Sequence, residues 1–252
     1  MMKTLRTETT WIDNIIPEGI PLNSTTLITG PGGSGKPLIG EVFVSAWLKN
    51  GGSVIFMSLQ YPTKEFIIES IKSVAGINLN DYIKKIKFIQ LDVEIPGYKK
   101  TNSEVINANL VKPDVWDKVL DIASKDLPNE GPGILIFGSA LNLLLFSPTY
   151  SDSILEKIKS TITSNMDKTY IFSVSTTAKA EQIAELEKIA DNLILSRNEK
   201  EPFRLFMKVL RMKDVRFKST EIQVPIPTTT FLHIKEIADH SRKKMIPAIL
   251  KI

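Results

Sequence analysis

The chain has 252 residues, 42% of them hydrophobic and 24% charged, so it can bury a core and is neither disordered nor collagen-like. With no Cys and two His, it excludes disulfide scaffolds, thiolate metal sites and cysteine nucleophiles, leaving only His233 and His240 for imidazole chemistry. The formal charge of +4 is uneven: residues 197–252 carry 13 basic and 6 acidic side chains, a local +7, which leaves −3 for residues 1–196.

Residues 1–10 show no apolar leader, and the longest apolar run, residues 134–146, is too short to span a membrane. These two features predict a cytoplasmic protein without membrane contact. Thr25–Thr29 reads as a strand running into a Gly-rich loop, and Lys36–Leu48 follows as a helix with Leu38, Ile39, Val42 and Phe43 at helical spacing. Strands at Val54–Ser58 and Phe88–Leu91 alternate with helices at Thr63–Val74 and Pro113–Ala123. A buried strand is expected at Ile134–Phe137. The capping pair Ser153 and Glu156 opens a helix to about Met166, and Tyr170–Ser175 is the next strand. Ala180–Ala190 reads as a helix and Leu193–Leu195 as a short strand. Glu94–Asn109, with its turn residues and weak periodicity, is expected to be a mobile loop.

Alternation of this kind argues for βαβ units and a mostly parallel sheet covered on both faces. Beyond residue 197 the pattern changes. Phe203–Phe217 and Glu221–Ile226 follow one another as strands, which predicts an antiparallel edge, and a last helix spans roughly Phe231–Lys244. With no repeat and no second core, the reading is one α/β domain over residues 1–252, its C-terminal part basic from about residue 197.

Gly30-Pro31-Gly32-Gly33-Ser34-Gly35-Lys36 fits the first seven positions of the phosphate loop G-x-x-x-x-G-K-[S/T], placed between a strand and a helix as the chemistry requires. Backbone amides and a helix N-terminus would cradle phosphate, with Lys36 reaching the outer oxygens. The eighth position is Pro37, which has neither a hydroxyl for Mg²⁺ nor a backbone N–H. A first helical turn accepts it.

Here the chain resembles the RecA-like ATPases, and within them the KaiC/RadA-like single-domain proteins common in archaea. The entry segment Trp11–Pro21, the strand Val54–Leu59, the segment Ile134–Ser139 resembling a Walker B strand, Ile189–Ile194 and Leu210–Lys213 carry the likeness. It implies a three-layer α/β/α fold, a homo-oligomer or a protein or peptide partner, and ATP or ADP as cofactor. It also implies the roles that are replaced. The Mg²⁺-binding hydroxyl is Pro37, the family's water-orienting glutamate is Gln60, and the Walker B carboxylate is Gly138. A glutamine can bond water but cannot take its proton at neutral pH. No catalytic residue is intact, so the expectation is no Mg²⁺ site, weak or no nucleotide binding and lost turnover, leaving a scaffold or regulatory module. One rival expectation is an active ATPase that uses other carboxylates, for example Asp92 or Glu94; another is an ATP-dependent accessory protein that binds DNA in recombination or repair through the basic C-terminal region.

Alternation along Phe203–Phe217 puts Arg211 and Lys213 on one strand face, where the resemblance implies an anion contact, possible in trans to a neighbouring subunit. Lys208, Arg216, Lys218 and Arg242-Lys243-Lys244 add an electrostatic footprint for DNA. His233 and His240 sit without a carboxylate or thiolate cluster, so no metal site is expected.

Overall fold

The computed structural model describes residues 3–164 and 167–252. Its strands are β1 (Thr4–Leu5), β2 (Ile20–Pro21), β3 (Thr25–Thr29), β4 (Ser53–Ser58), β5 (Ile86–Leu91), β6 (Tyr98–Lys100), β7 (Val105–Ala108), β8 (Ile134–Ser139), β9 (Thr169–Ser173), β10 (Asn192–Lys200), β11 (Phe203–Arg211) and β12 (Ile222–Val224). Its α-helices are α1 (Thr10–Asp13), α2 (Lys36–Lys49), α3 (Lys64–Ala75), α4 (Pro113–Lys125), α5 (Ser151–Thr163), α6 (Ala180–Ile189) and α7 (Thr228–Ile249).

Ten strands form one sheet in the order β12-β11-β10-β3-β9-β8-β4-β5-β7-β6, while β1 and β2 pair separately. Strands β10, β3, β9, β8, β4, β5 and β7 are parallel to their neighbours in that row. Strands β11 and β12 add the antiparallel C-terminal edge that the sequence predicts.

Alternation along the central strands sorts the core. Ile28, Phe56, Leu135 and Phe137 face the layer of α2 and α3; Leu27, Ile55, Ile136 and Phe172 face the layer of α4, α5 and α6. Both faces are buried, as a parallel sheet requires. Local signals set the helix ends: Thr63 Oγ1 accepts from the Phe66 N–H at 3.3 Å to cap α3, and Gly76 ends it in the left-handed region at φ 71°.

Several expected boundaries move. Glu94–Asn109 is not a bare loop, because β6 and β7 pair there as an antiparallel hairpin that closes the other edge of the sheet. Strand β10 runs to Lys200, its second half paired with β11 alone. Strand β11 ends at Arg211, so Lys213 lies beyond it and the two bases do not share a strand face. The edge expected at Glu221–Ile226 shrinks to β12. Helix α5 closes at Thr163, and Met166 lies outside the described residues.

Helix α7 departs furthest from the expectation. It runs five residues past Lys244, with Pro247 inside its last turn. Its first half buries Phe231, Ile234 and Ala238 against the α2/α3 layer, and its far end buries Ile249 against the opposite layer. The helix therefore spans the two layers, and its path lies across the phosphate loop.

Candidate functional site

Strand β3 delivers the chain into the loop Gly30–Gly35, and α2 leaves from it. Gly35 caps α2 at φ 73°, a left-handed conformation that side chains rarely adopt, and Pro37 lies in the helix's first turn. The residues matched by the motif thus form one structure. The Gly32 N–H donates to Thr177 Oγ1 at 2.7 Å, and the Thr176 N–H donates to the Gly30 carbonyl at 2.9 Å. The Ser34 hydroxyl donates to the Pro31 carbonyl at 2.9 Å, and the Ser196 hydroxyl donates to the Ser34 carbonyl.

Lys36 is buried and folds back onto its own loop. Its Nζ donates to the Pro31 carbonyl at 2.5 Å and to Ser34 Oγ at 3.2 Å, both neutral acceptors. Burial, with the nearby Arg242 charge second, pushes its pKa down to about 7.

The loop opens into a cavity of about 270 Å³ whose other wall is α7. Arg242 donates from Nη1 to Gln60 Oε1 at 2.9 Å and is ion-paired through Nη2 with Asp239. Asp239 also holds Lys235 at 2.5 Å, and the Lys235 stem lies over Gly33, its Cε 3.3 Å from where a Cβ there would stand. Among the described residues three basic side chains, Lys36, Lys235 and Arg242, line the cavity, and no Asp or Glu does. Most of the remaining wall is apolar, including Tyr61, Leu143, Phe146 and Phe231.

The three replaced positions can now be placed. Pro37 and Gln60 line this cavity; Gly138, the last residue but one of β8, is not among the lining residues. A Cβ at Gly138 would stand 2.9 Å from Phe172 and 3.0 Å from Leu141, so a side chain there would have to displace apolar neighbours. Gln60 spends its carbonyl on Arg242. Hydroxyls of Ser34, Ser173, Ser175 and Thr177 line the cavity, but among the described residues no carboxylate does, so the donor set lacks the one or two carboxylates that usually hold Mg²⁺. Among the described residues no cluster of three or more His, Asp or Glu could hold a metal.

Arg211 and Lys213 lie away from the cavity. Arg211 donates to the Ala190 carbonyl at 2.7 Å and to the Glu187 carbonyl at 2.5 Å, covering the C-terminus of α6, and Lys213 pairs with Asp191 at 2.9 Å. Asp92 and Glu94 do not line the cavity either. The residues that sequence reasoning missed are Lys235 and Arg242 in their role here. The sequence marked a last helix at roughly Phe231–Lys244, but nothing in it said which loop that helix would cross.

A mostly parallel sheet with a phosphate loop between β3 and α2 defines a RecA-like P-loop protein. A family model described as "ATPase: KaiC" matches residues 5–238, so the chain belongs to the KaiC ATPase family. The match stops part-way along α7, before Asp239 and Arg242. Among solved structures, a KaiC-like protein from the hyperthermophilic archaeon Pyrococcus horikoshii superposes with a TM-score of 0.67 at 16% identity, over 88% of this chain and 94% of that one. That likeness is one of fold. No curated protein sequence matches the chain.

Proposed function

We propose that this chain is a hydrolysis-deficient KaiC-family protein, a RecA-like core that serves as an oligomeric scaffold or regulatory partner-binding module. The observation that supports the reading is the crowding at Gly138, where a Cβ would press on Phe172 and Leu141 in the position of the family's metal-holding carboxylate. Two further replacements act in the same direction. Pro37 brings no hydroxyl, and Gln60 is engaged by Arg242 and is no base at neutral pH. Without Mg²⁺, phosphoryl transfer loses several kcal/mol of charge stabilisation, or about three to four powers of ten in rate.

The test is ATP turnover by the full chain with Mg²⁺, beside Lys36→Ala. The expected result is no release of phosphate above that of the Lys36→Ala variant. Magnesium-dependent turnover that disappears in Lys36→Ala would refute the reading.

A further inference from the structure

The family match ends before the last part of α7, yet that part supplies Arg242, whose charge acts on Lys36. Lys36 and Arg242 come from opposite walls of one cavity, and neither side chain meets a carboxylate of the loop. Lys36 has only neutral oxygen partners, while Arg242 shares the single carboxylate of Asp239 with Lys235. Two like charges brought together in a partly dehydrated space repel, and an anion between them relieves that repulsion. The same place beside the phosphate loop is where P-loop chemistry expects a divalent cation. Here a guanidinium stands near it, and a guanidinium binds phosphate oxygens in a forked geometry without a metal.

We infer that the cavity binds a phosphoanion free of Mg²⁺, held between Lys36 and the loop amides on one side and Arg242 of α7 on the other. This rests on the hydrolysis-deficient reading of the same site, and it assigns to α7 a role the family match does not include. The anion would draw Lys36 away from the Pro31 carbonyl and give Arg242 a second charged partner beside Asp239. Occupancy would thereby fasten α7 to the loop it crosses.

The experiment is calorimetric titration of the full chain with inorganic pyrophosphate and, separately, with ADP, each in EDTA and in Mg²⁺. At least one of the two is expected to bind in EDTA, with no gain from Mg²⁺. Arg242→Gln is expected to weaken that binding at least tenfold, and Arg242→Lys to weaken it less. Amide exchange of the unaltered chain supplies a readout independent of any variant's folding, since the bound anion is expected to slow exchange in both 32–36 and 239–246. The inference is overturned if neither probe binds in EDTA, if Mg²⁺ tightens binding tenfold or more, or if Arg242→Gln folds and binds as before. It is equally overturned if protection appears at the loop alone. These outcomes are separate from the turnover test: metal-free binding that ignores Arg242 leaves the lack of hydrolysis standing.

Discussion

At the residue scale, the least expected group is Glu41, one helical turn beyond Pro37. Its side chain is fully buried, accepts the Ser70 hydroxyl at 2.8 Å on Oε2, and lies beside the Tyr61 ring that lines the cavity. Its Oε1 and the Tyr61 hydroxyl are both buried without a hydrogen-bond partner at normal distance. Burial raises the carboxyl from 4.5 to about 8, with Ser70 and Tyr61 pulling weakly the other way. Between those two values the folded chain keeps a proton that the unfolded chain releases, so stability falls as pH rises through that window. Lys36 acts in the opposite sense at higher pH. Its pKa is lowered from 10.5 to about 7, so above 7 the folded chain lacks a proton that the unfolded chain still holds, and stability climbs. Glu41→Gln should remove the first slope and leave the second. The expected gain over the unaltered chain grows from pH 5 to pH 8 and reaches on the order of a few kcal/mol, read from urea unfolding across that range. Parallel profiles for the two proteins would exclude a neutral Glu41 in the folded chain.

At the scale of elements, α7 is held at both ends by different cores. Phe231 stacks on Phe203 with ring centroids 4.4 Å apart, and Ile249 is fully enclosed in the α4–α6 layer. Truncating Ile249 to Ala removes buried methyl groups at the far anchor only, at about 2–5 kcal/mol if the site does not collapse. The expected outcome is faster amide exchange over 239–249, with the sheet still protected; loss of protection throughout the sheet would mean that α7 is integral to the core rather than docked on it. Sequence patterning reached some of these elements and not others. Strands β4 and β8 were legible because burial on both faces demands apolar runs, Val54–Met57 and Ile134–Phe137, and β3 because it runs into the Gly-rich loop. The β6–β7 hairpin was not, since Tyr98-Lys99-Lys100 is wholly exposed and carries no alternation. The continuation of α7 past Lys244 was hidden by Pro247, which ends most helices but here costs one hydrogen bond in the last turn.

At the scale of the whole molecule, the basic C-terminal part is less free than its net charge suggests. Arg197 pairs with Glu199 and Glu221 and lies 4.2 Å over the Phe206 ring, Arg216 pairs with Glu18, and Arg211 covers the end of α6. The loop and the three replaced residues were visible in the sequence because each is a local match or mismatch. That α7 brings two cations back to that loop was not, because it depends on how elements two hundred residues apart pack.

The same non-local packing governs what reversion can restore. Phe172, which would have to yield to a side chain at 138, also meets Trp116 edge-on at 6.4 Å, so its place is set by the core and not by the site. A carboxylate at 60 would be drawn into an ion pair by Arg242, already in contact with that side chain, and would be a poor acceptor for a water proton. Pro37→Thr, Gln60→Glu and Gly138→Asp combined are therefore expected to yield no Mg²⁺-dependent ATP hydrolysis. The fold should weaken by about 1–3 kcal/mol from crowding at 138, more if the new carboxylate stays ionised among apolar groups. Turnover assays and urea unfolding of the triple variant measure both. Recovered hydrolysis at unchanged stability would show that the three replacements alone silence the site, and that neither α7 nor the packing around Phe172 takes part.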